Sequence, residues 1–468
     1  MSLYGTLGWT LLALLFTCAL VGVSVKAPAL MALAMTAVLI LFSSSTWGQL
    51  TVDKNIYSRG TGVFYFSLLN LILFGAGVGL LLRKLANPHQ PQLAPSMGLY
   101  FSGFALLMLA HLAAGTWAGV PLGSTLAYTG IVNLLNMMIF MYLLLGAFKS
   151  ETEGRRLMHF IILLAAARAV FGLARFLWFD GDSANPYRNF ERLDIKIFFF
   201  DIADNFIASL TAFWAAWLLT SPGAKLSRLK KMALLALLLL EVAAVALSFR
   251  RASMLGLALM FGFLLYRLPP SRRMAFMLLA GALLAASAAV MFQQRLQYTS
   301  QGASNIFSAL VHDILPGAGG QSGAGTGRLY ELMAAARSLG DNWLFGLGSW
   351  GTFTGDQEIL SYHFGRFDFV HSGFGHIFFK AGLVGLLLFC GLLGAWIAHY
   401  FRRCAGLRGE ARLWSDLGFA GLLFWLPTLL IGTPVIEFRS MLMIGLALAL
   451  PFLAIRLQPS RRIAHAHP

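Results

Sequence analysis

Charge is what this chain has least of. Of its 468 residues only 12% are charged, and acidic residues number 19 against 35 Lys and Arg. A soluble domain carries about twice that share of charge, so a water-soluble globular fold is excluded. Cysteine is nearly absent. Cys18, Cys390 and Cys404 all lie in apolar segments or a short basic turn, which leaves no disulfide framework and no Cys-based zinc site. The N-terminal region lacks a charged n-region and a small-residue cleavage site, so the first apolar block, Leu7 to about Val25, is expected to stay as a helix. There is no basic soluble domain and no aromatic–basic sheet motif, which argues against a nucleic-acid partner. No repeat relates the two halves, as a transporter with alternating access would require.

What is present is hydrophobic sequence. It makes up 58% of the chain, with a mean hydropathy of +0.73, and it falls into blocks of about twenty residues, the length that crosses a bilayer core. The blocks predict an all-α polytopic integral membrane protein of about 12 to 13 helices. They lie near 7–25, 28–45, 63–82, 97–115, 125–148, 157–178, 197–219, 232–249, 252–268, 274–291, 371–400, 417–432 and 440–457. Three parts follow: helices 1 to about 10 within 1–291, one large loop at 292–370, and the last helices within 371–457, ending in a basic tail at 458–468. Basic turns at Arg83-Lys84, Lys149 with Arg155-Arg156, Lys225 to Lys231, Arg267 to Arg273, Arg402 to Arg412 and Arg461-Arg462 belong on the cytoplasmic side. The loop 292–370 and the turns at 179–196, 250–251 and 433–439 then face outward. With a cytoplasmic C-terminus, an even helix count needs one early segment to be re-entrant or merged.

Most of the net charge of +16 is this positive-inside signal. The remainder is informative: Arg188, Arg192, Arg250, Arg251, Arg295, Arg328, Arg337, Arg366 and Arg439 fall on the side where the rule disfavours them. An anionic ligand at the outer membrane surface, such as a lipid pyrophosphate, accounts for them.

Three stretches carry the chemistry. The first is Ser248-Phe249-Arg250-Arg251-Ala252-Ser253-Met254-Leu255-Gly256, between apolar runs too close to leave a real loop. Two arginines there must sit at the interface or in a polar cavity, because a charge at the bilayer centre costs at least ~2.5–3.5 kcal/mol. A snorkelling interfacial pair meets that condition. So does a phosphate grip, for which guanidinium supplies bidentate donors. The second is the large loop. Six glycines in the twelve residues Pro316 to Gly327 read as a flexible segment. An amphipathic helix from Arg328 to Arg337 follows, then the turn Asp341-Asn342-Trp343-Leu344-Phe345-Gly346-Leu347-Gly348 and Ser349-Trp350-Gly351-Thr352-Phe353. A hinge beside such a helix suits a lid over a surface cavity. Its aromatics, Trp350 among them, suit either stacking on sugar rings or anchoring at the interface. The third is His371-Ser372, nine residues, then Gly382-Leu383-Val384-Gly385, where the loop re-enters the membrane. The glycines would let another helix approach closely. A histidine at such a position serves structure or catalysis, and His363 and His376 compete with His371 for the second role.

In order and spacing, the arginine turn, the Arg328 helix with its Gly-Leu-Gly turn, and the His-Ser-x9-Gly-x-x-Gly entry resemble the bacterial O-antigen ligase and polymerase superfamily, over residues from about 240 to 390. A single large loop ending in that histidine motif looks most like the ligase branch. The resemblance implies a membrane glycosyltransferase C-type fold in a Gram-negative inner membrane, with the site at the periplasmic face. It also implies transfer of O-antigen from undecaprenyl pyrophosphate to lipid A–core oligosaccharide, completing lipopolysaccharide without a metal or other cofactor. By the same resemblance His371 is the base, and Arg251 and Arg328 clamp the pyrophosphate. Arg250, Arg192, Arg188 and Trp350 are further candidate contacts, and Gly382 and Gly385 are structural. Two positions depart from the pattern: Ser372 stands where Asn is common, and Lys380 where many relatives carry Glu.

Transfer from a pyrophosphate needs a base for the acceptor hydroxyl and positive charge for the leaving group. Metal-dependent glycosyltransferases supply that charge with an Asp-x-Asp site. Asp180-Gly181-Asp182 is a weak match to it and serves equally as a plain polar turn. The alternatives are an O-antigen polymerase or protein O-oligosaccharyltransferase of the same superfamily and, in another class, a lipid-linked oligosaccharide flippase. The partners expected besides the two substrates are membrane lipids, and a monomer suffices for all of these readings.

Overall fold

The computed structural model describes residues 3–43, 49–51, 54–57, 67–86, 95–182, 196–221, 226–296, 324–355 and 367–456. It is helical apart from a two-stranded pairing of β1 (Gln49–Thr51) with β2 (Lys54–Asn55). The helices are α1 (Leu3–Lys26), α2 (Pro28–Leu41), α3 (Leu68–Ala86), α4 (Pro95–Trp117), the single turn α5 (Leu122–Thr125), α6 (Val132–Ala147), α7 (Glu151–Trp178), α8 (Ile202–Thr220), α9 (Arg228–Ala246), α10 (Arg251–Arg267), α11 (Pro270–Leu296), α12 (Ala324–Ser338), α13 (Gly373–His399), α14 (Gly409–Ile431) and α15 (Phe438–Arg456). A helix lies over each apolar block of the sequence. By length and hydropathy, 8 of them can cross a membrane by themselves among the described residues, or 9 spans if one bent pair is counted as one. That pair is α1 and α2, which meet at 116°. Pro28, at the first position of α2, has no N–H to extend the ladder of α1.

The chain writes its own helix starts where polar residues allow it. Ser150 and Glu153 close a reciprocal capping box at α7, and Asp201, Ser227 and Ser372 cap α8, α9 and α13. Each cap satisfies a first-turn N–H that has no partner within the helix. Ser372 accepts from the Gly375 N–H at 3.2 Å. Serine and asparagine are interchangeable in that task, which accounts for one of the two departures from the family pattern.

Burial separates the centre of the bundle from its rim. The apolar window of α15 is 89% buried and that of α11 only 17%. α8, α14 and α15 form the centre, and Gly418 and Gly421 of α14 let the backbone of α15 come close. At one end, called here the basic end, Arg267 and Arg412 share Asp416, whose other oxygen accepts from Tyr400. Arg155 bridges Glu151 and Glu410 there. The other end carries α12, the turns before α10 and α15, and the start of α13, and is called the loop end.

Candidate active site

At the loop end His371 meets a carboxylate. Glu331, fully buried on α12, accepts from the His371 backbone N–H at 2.6 Å and stands 3.1 Å from Nδ1 of the same residue. The imidazole itself is about a quarter exposed and meets the ring of Phe369 edge-on at 5.0 Å. A carboxylate on Nδ1 holds the proton there and fixes the ring's orientation, so the basic lone pair resides on Nε2. This is the base–orienter geometry of general-base catalysis. Nothing in the sequence singled out Glu331. Its only signal is its place three residues after Arg328, which puts both on one face of a helix.

Arg328 is exposed on α12 and donates to the Ile431 carbonyl at 2.9 Å, at the end of α14. The same end of α14 touches the first residue of α13: a Cβ on Gly373 would lie 3.0 Å from the Leu429 side chain. The end of α14 therefore joins the Arg328 helix to the His371 entry. On its other side runs the turn of Pro434–Ile436 and Glu437. Glu437, at an exposed position there, accepts from the Ser440 hydroxyl.

The two turn arginines part company. Phe249 takes a positive φ of 55°, which turns the chain sharply between α9 and α10. Arg250 is the N-cap residue of α10, and its guanidinium lies over the Phe200 ring at 4.1 Å. Arg251, the first residue of α10, is exposed at the loop end.

Other candidates have structural duties. Arg439 is 2% exposed, with Nη2 2.6 Å from Asp204, Nη1 2.9 Å from Asp201, and Nε donating to the Leu39 carbonyl. Arg168 pairs with the same Asp204 and donates to the Leu41 carbonyl. Arg439 thus leaves the set of arginines offered to an anion: it ties α15 to α8 and to the end of α2. Asp182 is likewise engaged, 3.0 Å from Arg175 and accepting from the Phe200 N–H. Asp180 and Gly181 take positive φ, so Asp180-Gly181-Asp182 is a tight turn whose buried carboxylate faces an arginine. Among the described residues no group of three or more His, Cys, Asp or Glu is placed to hold a metal. Arg337 is exposed on α12. Arg188, Arg192, His363 and Arg366 lie outside the described residues, as does the side chain of Arg295.

Gly382 admits something other than the helix expected from its spacing, whereas Gly385 has Leu107 of α4 within 3.5 Å of its added Cβ. At Gly382 (φ 63°) α13 breaks, and the turn of Leu344 to Gly348 fills the gap. The Leu347 and Gly348 N–H groups donate to the carbonyls of Phe379 and Lys380, and Val384 N–H donates to Leu344. A Cβ on Gly382 would come within 2.3 Å of the Leu344 oxygen. Gly385 faces Ala381 of its own helix at the same break. Trp350 packs against Gly115 of α4 and edge-on to His111, which binds the Phe345 carbonyl. The aromatic turn is anchored to the bundle. His376 is fully buried, its Nδ1 accepting from the Val370 N–H, and so it has no route to an acceptor sugar.

These features define a class: a polytopic helical membrane protein with His371, Glu331 and Arg328 gathered at one end of the bundle. Residues 234–390, a third of the chain, match the family described as O-Antigen ligase. The match contains Arg250, Arg251, Arg328, Glu331, His371, Lys380, Gly382 and Gly385, and leaves out the Arg439 network. No curated protein matches the chain.

Proposed function

We propose that this protein is an O-antigen ligase. It joins O-antigen carried on undecaprenyl pyrophosphate to lipid A–core oligosaccharide, with the loop end of the bundle facing the periplasm from the inner membrane. The observation that carries the reading is the Glu331–His371 pair, with Glu331 on the same helix as Arg328 and both residues inside the segment that matches the family. In this reading Nε2 of His371 takes the proton of the acceptor hydroxyl as its oxygen attacks the anomeric carbon. The bond from that carbon to the pyrophosphate breaks with its electron pair leaving on the lipid pyrophosphate. Attack from the face opposite the leaving group inverts the anomeric centre. Arg328 and Arg251 bind the leaving group, where guanidinium forks match phosphate oxygens and stabilise the charge that develops. A glycosyltransferase C-type fold belongs to the same reading.

The deciding experiment supplies purified protein with lipid-linked O-antigen and, in parallel, lipid A–core, a second lipid-linked repeat, or an acceptor protein. Modified lipid A–core is the expected product. Elongation of the lipid-linked glycan would make the protein a polymerase, and glycosylated protein would make it an oligosaccharyltransferase. Movement of the donor across vesicles with no transfer would make it a flippase.

A further inference from the structure

The break in α13 holds a lysine that this mechanism does not use. Lys380 is fully buried, and its ammonium donates to the Ser349 carbonyl at 3.0 Å and to the Gly351 carbonyl at 2.7 Å, 5.0 Å from the Phe379 ring. A buried ammonium is tolerated only where its protons have acceptors. Both acceptors here are main-chain oxygens of the loop turn, and the same turn returns its own N–H groups to α13 at Phe379 and Lys380, 3.1 and 2.9 Å away. Contact is tight from both sides. A Cβ on Gly346 (φ 76°) would lie 2.4 Å from the Lys380 carbonyl carbon. A turn of 3-10 helix, Gly340–Trp343, connects this turn to the end of α12. The buried Ala334, Ala335 and Leu339 of that region pack with Phe353, Val370 and Phe379 in one small apolar cluster. Whatever fixes the turn on α13 therefore fixes α12 beside the start of α13, where Glu331 meets His371.

We propose that Lys380 is a positioning residue: its ammonium latches the Gly346–Gly351 turn into the broken helix and so holds Glu331 and Arg328 in register with His371. The inference rests on the proposed role of His371 as base.

The test uses the full-length protein in detergent or nanodiscs, with Lys380→Met and, on the loop side of the same contact, Gly346→Ala, whose added Cβ crowds the backbone of the break while the sequence of the membrane helix is unaltered. Both are expected to remain monodisperse. Trypsin is expected to cut after Arg328 and Arg337 about tenfold faster or more in both variants than in wild type, since cleavage follows the population of the open segment. In glycan transfer, kcat is expected to fall about tenfold with donor KM little changed, the mark of misplaced catalytic groups rather than lost binding. In a Glu331→Gln background Lys380→Met is expected to add little further loss, because residues acting through one element are not additive. Unchanged cleavage in both variants, or a loss fully additive with Glu331→Gln, overturns the proposal. Faster cleavage in both variants of a protein that transfers no glycan at all keeps the latch and removes the functional reading instead.

Discussion

Arg439 and Arg251 stand at the same end of the bundle, and both count among the arginines from which the sequence builds an anion site. Their surroundings are opposite. Arg439 is enclosed by Asp201, Asp204 and the carbonyls of Leu39 and Ile40. Arg251 opens a helix at an exposed position. Arg328, also exposed, uses one nitrogen on the Ile431 carbonyl, which orients its fork without neutralising its charge. A buried guanidinium must be matched by anions from the protein itself, because desolvation of an unmatched charge costs several kcal/mol. Positive charge at an exposed rim carries no such requirement. Burial, rather than residue type or side of the membrane, separates Arg439 from the arginines proposed for the pyrophosphate.

The sharpest way to break this comparison sets His371 against Arg439. His371→Ala is expected to insert and fold like wild type and to lose transfer on the order of 10²–10⁴-fold, the range for a missing general base. A wild-type rate in that variant would take His371 out of the mechanism. Arg439→Ala is expected to fail in the opposite manner. Removing one partner of a buried ion pair costs roughly 3–5 kcal/mol, here by taking the guanidinium away from Asp201 and Asp204. Loss of folded protein in thermal unfolding checks this, and a stable variant with defective transfer would move Arg439 into the site.

Smaller effects sharpen the division among the rim arginines. Arg251→Lys and Arg328→Lys are each expected to lose at least about tenfold in rate, equivalent to roughly 1.4 kcal/mol of transition-state stabilisation, since lysine cannot reproduce the planar fork. Arg250→Lys is expected to act on stability, through the lost stacking on Phe200, and to leave the rate near wild type, as is Arg337→Lys. Donor titrations separate the two kinds of loss. Full activity in both Arg251→Lys and Arg328→Lys would end the clamp model. The smallest expected effect is that of chelation: transfer is expected to proceed undiminished in excess EDTA. Activity lost with EDTA and restored by Mg²⁺ or Mn²⁺ would return Asp180 and Asp182 to consideration.

Much of the proposed site is drawn from the sequence because its members fall in short motifs. Arg251, Arg328 and His371 each sit in a recognisable turn, helix or entry. Glu331 escapes because a carboxylate one turn from an arginine looks like an ordinary surface residue until tertiary packing buries it. Arg439 misleads for the converse reason. Its two anions come from α8, more than two hundred positions away in the chain, and no local pattern joins them to it. Lys380 is a departure from a family pattern in the sequence and a hydrogen-bond donor to the loop in the fold.

The sequence by itself determined that this is a helical membrane protein, where its helices lie, and which short segments carry polar chemistry. Those properties depend on hydropathy over about twenty residues and on local capping, both of which act within a single helix. The tertiary structure alone decided which charges are paired, which glycines receive the loop, and that Glu331 rather than another residue holds His371. Pairing and burial are properties of two or more segments at once, and a buried charge is stable only when a distant part of the chain brings its partner.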